Sequence, residues 1–491
     1  MSGTFREGKS WHIWLTVLAI LVVGIGIYFY YTFFRQSESD VVESVPSDAI
    51  YVFDINNNSD FAGKYPYFSN YLNEIFALDA LPAFETMCSK IRSSDSRFTI
   101  SAHQYDDGIK LLFNLRASKS DFNNLLRALK IDQKNYTNFE NSKIYSYGTN
   151  FQNMKFSYRN NVISFSTDPD LLKKAILQQI HPKKIFSNKD FQKVYSISEK
   201  NRKQNWLLIN QESYLNYLKY LLKTETINDL REELIQSSWI GFQIRFSKNE
   251  IFLSGYSLSE NIDNVIEQGN GFNLASLVPN NSKRFSRFET FATKDLSMLS
   301  NYKFPKESSR ILEGLSVKEL CTFVCKHDTS YVSLLSLLPD TNVSVLTFFA
   351  GTKVSDSLIR ATIDNIYPLP EVFSTTLTSL VSDTLRWFVE INGGLVFSPS
   401  RDVLLRYRKM ITKNEILSQN PTYKIISDAV ASSAVREITL FNEPDDDYFS
   451  AILSESGTKT MLGHNMRAFS LSYGTSTEKD LIPINVYMLF Q

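Results

Sequence analysis

The hydrophobic pattern opens on an unbroken apolar run, Trp11 to Phe34, that contains no Asp, Glu, Lys or Arg. A helix rising about 1.5 Å per residue over that length covers the roughly 30 Å hydrocarbon core of a bilayer. Trp11 and Trp14 stand at one end and Tyr28, Tyr30 and Tyr31 at the other, where amphipathic rings favour the interface. The run exceeds the apolar core of a signal peptide and offers no small-x-small cleavage site, so a retained transmembrane helix is expected.

Beyond residue 34 the apolar positions break into short alternating runs. Residues 35 to 44 are polar and read as a stalk. Val45-Pro46 leads into a β-rich run, Ile50 to Ile55, and a helical pattern covers 60 to 92. Phe98 to His103 and Ile109 to Arg116 then flank Tyr-Asp-Asp-Gly, a hairpin signal. Ser120 is placed to cap a helix whose apolar face carries Phe122, Leu125, Leu126 and Leu129. Strands are expected at Lys143 to Tyr147, Met154 to Tyr158, Val162 to Phe165 and Trp206 to Ile209. Helices are expected from Asp168-Pro169 to Leu177, from Lys189 to Ser198 and from Tyr214 to Leu222. Ile240 to Phe246 and Ile251 to Tyr256 close the set as a strand pair. Strands joined by tight turns and interrupted by helices indicate an α+β arrangement of antiparallel sheet with helices packed on it.

A polar stretch at 259 to 277 contains the breaker Gly269-Asn270-Gly271, and after it the pattern recurs. Val278-Pro279 and Cys321 lie 233 residues beyond Val45-Pro46 and Cys88, as Ala350 and Leu358 do beyond Ala117 and Leu125. Phe397, Asp402, Leu404 and Asn442 lie 232 beyond Phe165, Asp170, Leu172 and Asn210. A near-constant shift predicts a duplicated unit, with Met466 to Tyr473 and Ile482 to Phe490 closing the second copy. The expected architecture is therefore an N-terminal single transmembrane helix followed by two tandem copies of an antiparallel-sheet-plus-helices domain. Its parts are a cytoplasmic N-terminus (1–10), the span (11–34), the stalk (35–44), a first repeat (45–258), a linker (259–277) and a second repeat (278–491). Cys88 and Cys321 should then occupy equivalent helix positions, with Cys325 on the same helix face as Cys321.

Charge adds orientation. Arg6 and Lys9 precede the span, whereas Arg35 alone follows it before Glu38, Asp40 and Glu43, which predicts a cytoplasmic N-terminus. Abundant Asn, Lys, Ile, Phe and Tyr fit an AT-rich bacterial genome, so the expected location is the inner membrane with the bulk of the chain periplasmic. With 52 Lys plus Arg against 52 Asp plus Glu, the chain lacks the basic excess of a nucleic-acid binder, and no nucleic-acid partner is expected. Cys88, Cys321 and Cys325 read as small buried hydrophobes or, in an oxidising compartment, as a disulfide between two of them.

Candidate chemistry is sparse. His12, His103, His181, His327 and His464 are scattered without metal-ligand spacing and read as ordinary surface or partly buried histidines. Asp445-Asp446-Asp447 lacks the alternating ligands and central Gly of a Ca²⁺ loop and reads as a solvated helix start; Asp106-Asp107 and Glu232-Glu233 read as a turn and an exposed helix face. There is no P-loop, nucleophile elbow or dinucleotide fingerprint. No catalytic, cofactor-binding or metal residue is assigned, no cofactor is expected, and the chain reads as a non-enzyme. The one excess is aromatic, 36 Phe and 25 Tyr, which fill a sheet–helix core or line a groove.

The stretch Val45-Pro46-Ser47-Asp48-Ala49-Ile50-Tyr51-Val52, after one membrane helix and a short stalk, resembles the start of an uncharacterised bacterial envelope family known as domain of unknown function 3352. That resemblance implies a membrane-tethered extracytoplasmic protein and no activity, cofactor or catalytic residue. The functional expectation is a membrane-anchored scaffold, partnered with the inner membrane through its N-terminal helix and with other envelope proteins. The alternative is a module holding a lipid, glycan or peptide in an aromatic-lined cleft between the repeats.

Overall fold

The computed structural model describes residues 41–56, 97–258, 277–289, 317–339, 365–442 and 448–490, together with positions 73, 75, 76, 78 and 84. Within those ranges there are breaks at 107, 149–152, 182–184, 201–203, 234–237, 248, 379, 382, 430–433, 460–464 and 475–480. The described chain forms 19 strands in one antiparallel sheet. The first run comprises β1 (Ala49–Ile55), β2 (Phe98–Tyr105), β3 (Gly108–Arg116), β4 (Thr137–Phe139), β5 (Ser142–Gly148), β6 (Asn153–Arg159), β7 (Val162–Ser166), β8 (Trp206–Asn210), β9 (Trp239–Ser247) and β10 (Glu250–Leu258). The second comprises β11 (Ser282–Glu289), β12 (Val317–His327), β13 (Ser330–Pro339), β14 (Ile366–Pro368), β15 (Trp387–Ile391), β16 (Gly394–Ser398), β17 (Ala434–Phe441), β18 (Met466–Gly474) and β19 (Leu481–Phe490). Short helices sit between them: α1 (Lys119–Ala128), α2 (Pro169–Ile180), α3 (Lys189–Lys200), α4 (Gln211–Tyr217), α5 (Thr224–Glu233), α6 (Glu371–Thr378), α7 (Arg401–Thr412), α8 (Pro421–Ala429), α9 (Tyr448–Ile452) and α10 (Glu455–Thr458).

Across the sheet the pairings run β4-β5-β6-β7-β3-β2-β1-β8-β9-β10 and continue without interruption into β19-β18-β17-β11-β12-β13-β16-β15-β14. The order of pairing in the first run recurs in the second. Val52 faces Leu208 where β1 meets β8, and Arg284 faces Leu440 where β11 meets β17. Both faces of the central strands are covered. On β1, Tyr51, Phe53 and Ile55 enter one large apolar cluster, while Val52 packs with Phe191, Val194 and Tyr195 of α3.

These findings correct the expected fold class. The described residues do not form a spanning helix followed by two α+β domains, each with its own core; they form one continuous antiparallel sheet with few helices. The reason lies in β10 and β19. Each was expected to close its own copy, but each carries an edge of unpaired N–H and C=O groups, and the two edges satisfy one another over nine residue pairs, Glu250↔Leu489 to Leu258↔Leu481.

The expected span at 11–34 lies outside the described residues, as do the N-terminus at 1–10 and nearly all of the linker at 259–277. No helix among the described residues is long and apolar enough to cross a membrane. The longest of them have 12 residues. Such a helix reaches roughly 18 Å at about 1.5 Å per residue, short of the roughly 30 Å hydrocarbon core. The expected placement as a single-pass inner-membrane protein is corrected to this: no helix among the described residues supplies the span.

Local differences follow from packing. Of the expected stalk, residues 41–44 form a 3₁₀ turn with Val41, Val42 and Ser44 buried, because Val42 joins the cluster under α3. Helix α1 is capped by Ser118, whose hydroxyl accepts from the Asp121 N–H while the Asp121 carboxylate accepts from the Ser118 N–H, so the cap stands two residues before Ser120. Cys321 and Cys325 lie on strand β12 and not on a helix; a spacing of four leaves them on one face in either case. Both are free thiols, and burial pushes the Cys325 thiol up to about 11. Cys88 lies outside the described residues.

The seam beside the join is tight. A Cβ at Gly255 of β10 would sit 1.8 Å from the Gly241 carbonyl oxygen on β9, a backbone atom that cannot step aside. Gly148 of β5 has nothing within 4 Å. Gly255→Ala should therefore lower the unfolding free energy by about 1–3 kcal/mol, while Gly148→Ala stays within about 0.5 kcal/mol. Denaturant midpoints of both variants check this, and equal effects would show that the seam is loose.

Candidate functional site

The join creates a wide apolar floor. In a strand, alternate residues share a face, and antiparallel partners project to the same side. Ile240 and Phe242 of β9, Leu253 of β10, Ile484, Val486 and Met488 of β19, Phe469 and Leu471 of β18, and Ile438 and Leu440 of β17 thus line one cavity of about 260 Å³. Leu253 and Val486 meet directly across the join. The roof comes from Tyr214 and Leu215 of α4, the following Leu218, Leu221 and Leu222, Thr226 of α5, and Ile452 and Leu453 at the end of α9, with Ile75 and Phe76 at the side. Phe76 is held by a T-shaped contact with Tyr51 at 5.2 Å and by stacking on Tyr214 at 5.7 Å. The Tyr51 hydroxyl donates to the Phe76 carbonyl.

The few polar groups in the wall are mostly engaged. The Tyr214 hydroxyl donates to the Ile75 carbonyl at 3.3 Å, and burial raises its pKa well above the ordinary value. Thr226 Oγ1 donates to the Ile452 carbonyl at 3.2 Å. Gln211 and Arg284 complete the polar set among the described lining residues. Phe76, Tyr214, Phe242 and Phe469 are the aromatic members of the lining, and other aromatic side chains enter core stacks such as Phe84 on Phe113 at 4.4 Å. The cavity wall itself is mainly aliphatic.

A clasp ties the roof together. The Lys223 N–H donates to the Ile452 carbonyl at 3.1 Å, and the Ser454 N–H to the Leu221 carbonyl at 2.9 Å, around a bridge between Leu222 and Leu453. Gly457 of α10 lies so close that an added Cβ would stand 2.0 Å from the Leu221 oxygen.

A second cluster is polar. His103 on β2 is fully buried, with Nδ1 2.8 Å from Asp48 Oδ1 and Nε2 3.0 Å from Ser101 Oγ. The neutral tautomer that donates from Nδ1 to Asp48 leaves Nε2 to accept from the Ser101 hydroxyl. Lys174 of α2 donates to Asp48 Oδ2 at 2.8 Å and lies 4.8 Å from the centre of the Tyr105 ring. The residue types are those of a nucleophile, a base and an orienting acid, but Ser101 is itself fully buried and presents no hydroxyl to a substrate. Burial, the largest influence, pushes the His103 pKa below its usual value against the pull of Asp48. Burial works to raise the Asp48 pKa, yet His103 and Lys174 outweigh it and hold the carboxyl well below the usual range.

The other residues singled out from the sequence are dispersed. His103 is a core group and not a partly buried one; His181 follows α2 at the surface, and His327 ends β12 with Nδ1 3.3 Å from Asp328. His12, His464, Asp107 and Asp445 to Asp447 lie outside the described residues, Asp106 occupies the β2–β3 turn, and Glu232 and Glu233 end α5. Among the described residues, no group of three or more His, Cys, Asp or Glu could hold a metal ion.

No protein-family model and no curated protein matches the chain. Solved structures similar in part include two crystal forms of TP0453. Crystal form I of TP0453 shares 14% identity, covering 46% of this chain and 82% of that one, with a TM-score of 0.27. Crystal form III of TP0453 shares 9% identity, covering 76% and 100%, with a TM-score of 0.23.

Two outcomes are expected. Because His103 and Asp48 both bind protons less readily folded than unfolded, stability should fall as pH drops from about 7 through about 6.5 and again below about 4. His103→Asn should flatten the upper limb between about pH 7 and 5, read from denaturant midpoints; an unchanged slope would place the titration elsewhere. Gly457→Ala should force the clasp apart, seen as faster amide exchange at Leu222, Lys223 and Ser454 with the β1–β2 amides unchanged.

Proposed function

We propose that this protein is a non-enzymatic binding module that shelters the hydrocarbon part of a lipid-like ligand in the cavity at the β10–β19 join. One observation carries the reading: about 260 Å³ of space walled almost wholly by apolar side chains from six neighbouring strands and a helical roof. Water gains few hydrogen bonds in such a space, whereas an alkyl chain leaving water gains the transfer free energy of each methylene it buries. A scaffold needs no such space at its centre. So few polar groups, with the Tyr214 and Thr226 hydroxyls turned to backbone carbonyls, also suit a ligand with a long featureless body better than a glycan, whose hydroxyls demand convergent donors and acceptors.

The test is binding of a neutral phenylnaphthylamine dye to the full chain, followed by fluorescence. Wild type should bind it saturably. Leu253→Trp and Ile438→Trp, which place an indole inside the cavity, should weaken binding by about tenfold or more while leaving the melting temperature within a few degrees. Absence of dye binding to wild type, or binding by both variants as tight as that of wild type, would refute the proposal.

A further inference from the structure

Resting on that reading of the cavity, we infer that its ligand is a single-chain amphiphile with an anionic head, a carboxylate or phosphate, and that Arg284 holds the head. Arg284 lies on β11, directly opposite Leu440 of β17, and so projects to the same face as the cavity wall. Among the described lining residues it is the one that carries a formal charge. Its place is also distinctive. The floor runs β8-β9-β10-β19-β18-β17-β11, and Arg284 comes from the last of these strands, so the charge stands at one flank of an otherwise apolar surface.

That layout matches a molecule with one charged end. Arg284 is only partly buried, which keeps an anionic head near water while the chain lies inside. A guanidinium carries five N–H donors in a planar fork that matches the paired oxygens of a carboxylate or phosphate, and it can hold a ligand head while keeping contacts within its own fold. A hydrocarbon without a head would lay apolar surface against a charged group and offer it no hydrogen-bond acceptor. A cationic head would meet like charge. The sign of the head is therefore the property that this site discriminates.

Competition against the neutral dye on the full chain tests the inference, using tetradecanoate, tetradecyl phosphate, tetradecanol and tetradecylamine below their aggregation thresholds. On wild type, at least one of the two anions should compete about tenfold or more tightly than the alcohol, and the amine most weakly. The two anions separate a fatty-acid source from a phospholipid one. Arg284→Met should bring the preferred anion to the level of the alcohol while dye and alcohol affinities stay within about twofold, and Arg284→Lys should retain part of the preference. Equal competition by anion and alcohol on wild type would overturn the anionic head and leave cavity binding standing. Failure of the dye and all four amphiphiles to bind would remove the cavity reading and this inference with it. The wild-type series decides the question even if a variant does not fold.

Discussion

The sheet depends on main-chain hydrogen bonding between β10 and β19. Each ends its own run of strands, and each alone would present a full edge of unsatisfied N–H and C=O groups. Pairing the two edges removes both at once and converts two runs into one sheet. The same ladder makes the cavity. Leu253 and Val486 become neighbours only because the register places them opposite, and the apolar faces of β9 and β18 on either side extend the floor to a width that neither run offers alone.

The molecule treats its buried polar groups and its buried space in opposite ways. Around His103, every hydrogen-bonding position of the imidazole has a partner and the carboxylate of Asp48 is shared with Lys174, so the cluster is a closed structural network. At the join, apolar side chains face one another across space. Side chains around such a space forgo dispersion contacts on one side, which costs stability, and an occupant that fills it restores them. Occupancy and folding are thereby linked: a ligand that binds only the folded chain raises its stability by mass action. The clasp between residues 221–223 and 452–454 lies over the same space and ties that part of the roof together.

Much of the local structure was legible. Val162 to Phe165 was expected as a strand and extends by one residue, to Ser166; Asp168 caps the helix that Pro169 begins; the turn signal Tyr-Asp-Asp-Gly joins β2 to β3. Each rests on side-chain alternation or on a side-chain cap, features written into neighbouring positions. The errors arose where that local signal is ambiguous. Cys321 and Cys325 share a face of a helix and a face of a strand alike, and β12 resolves the ambiguity through its pairing with β11 and β13. Val41 and Val42 looked like part of a polar stalk because their burial depends on α3, far along the chain. For the candidate site, the strand at Ile482 to Phe490 was expected, but an apolar strand face does not say whether it meets a helix, another sheet or a cavity.

What the sequence by itself determined is therefore the periodicity of the elements, their caps and turns, and the balance of charge. Those properties are local or additive, and side-chain chemistry carries them. Only the tertiary structure decided that the two runs form one sheet, that His103 is sealed inside it, and that Arg284 stands on the wall of an apolar cavity. The physical reason is common to all three: backbone hydrogen bonds between distant strands are the same for nearly every residue type, so the partner of an edge, and whatever that pairing brings together, leaves no mark on the residues that make it.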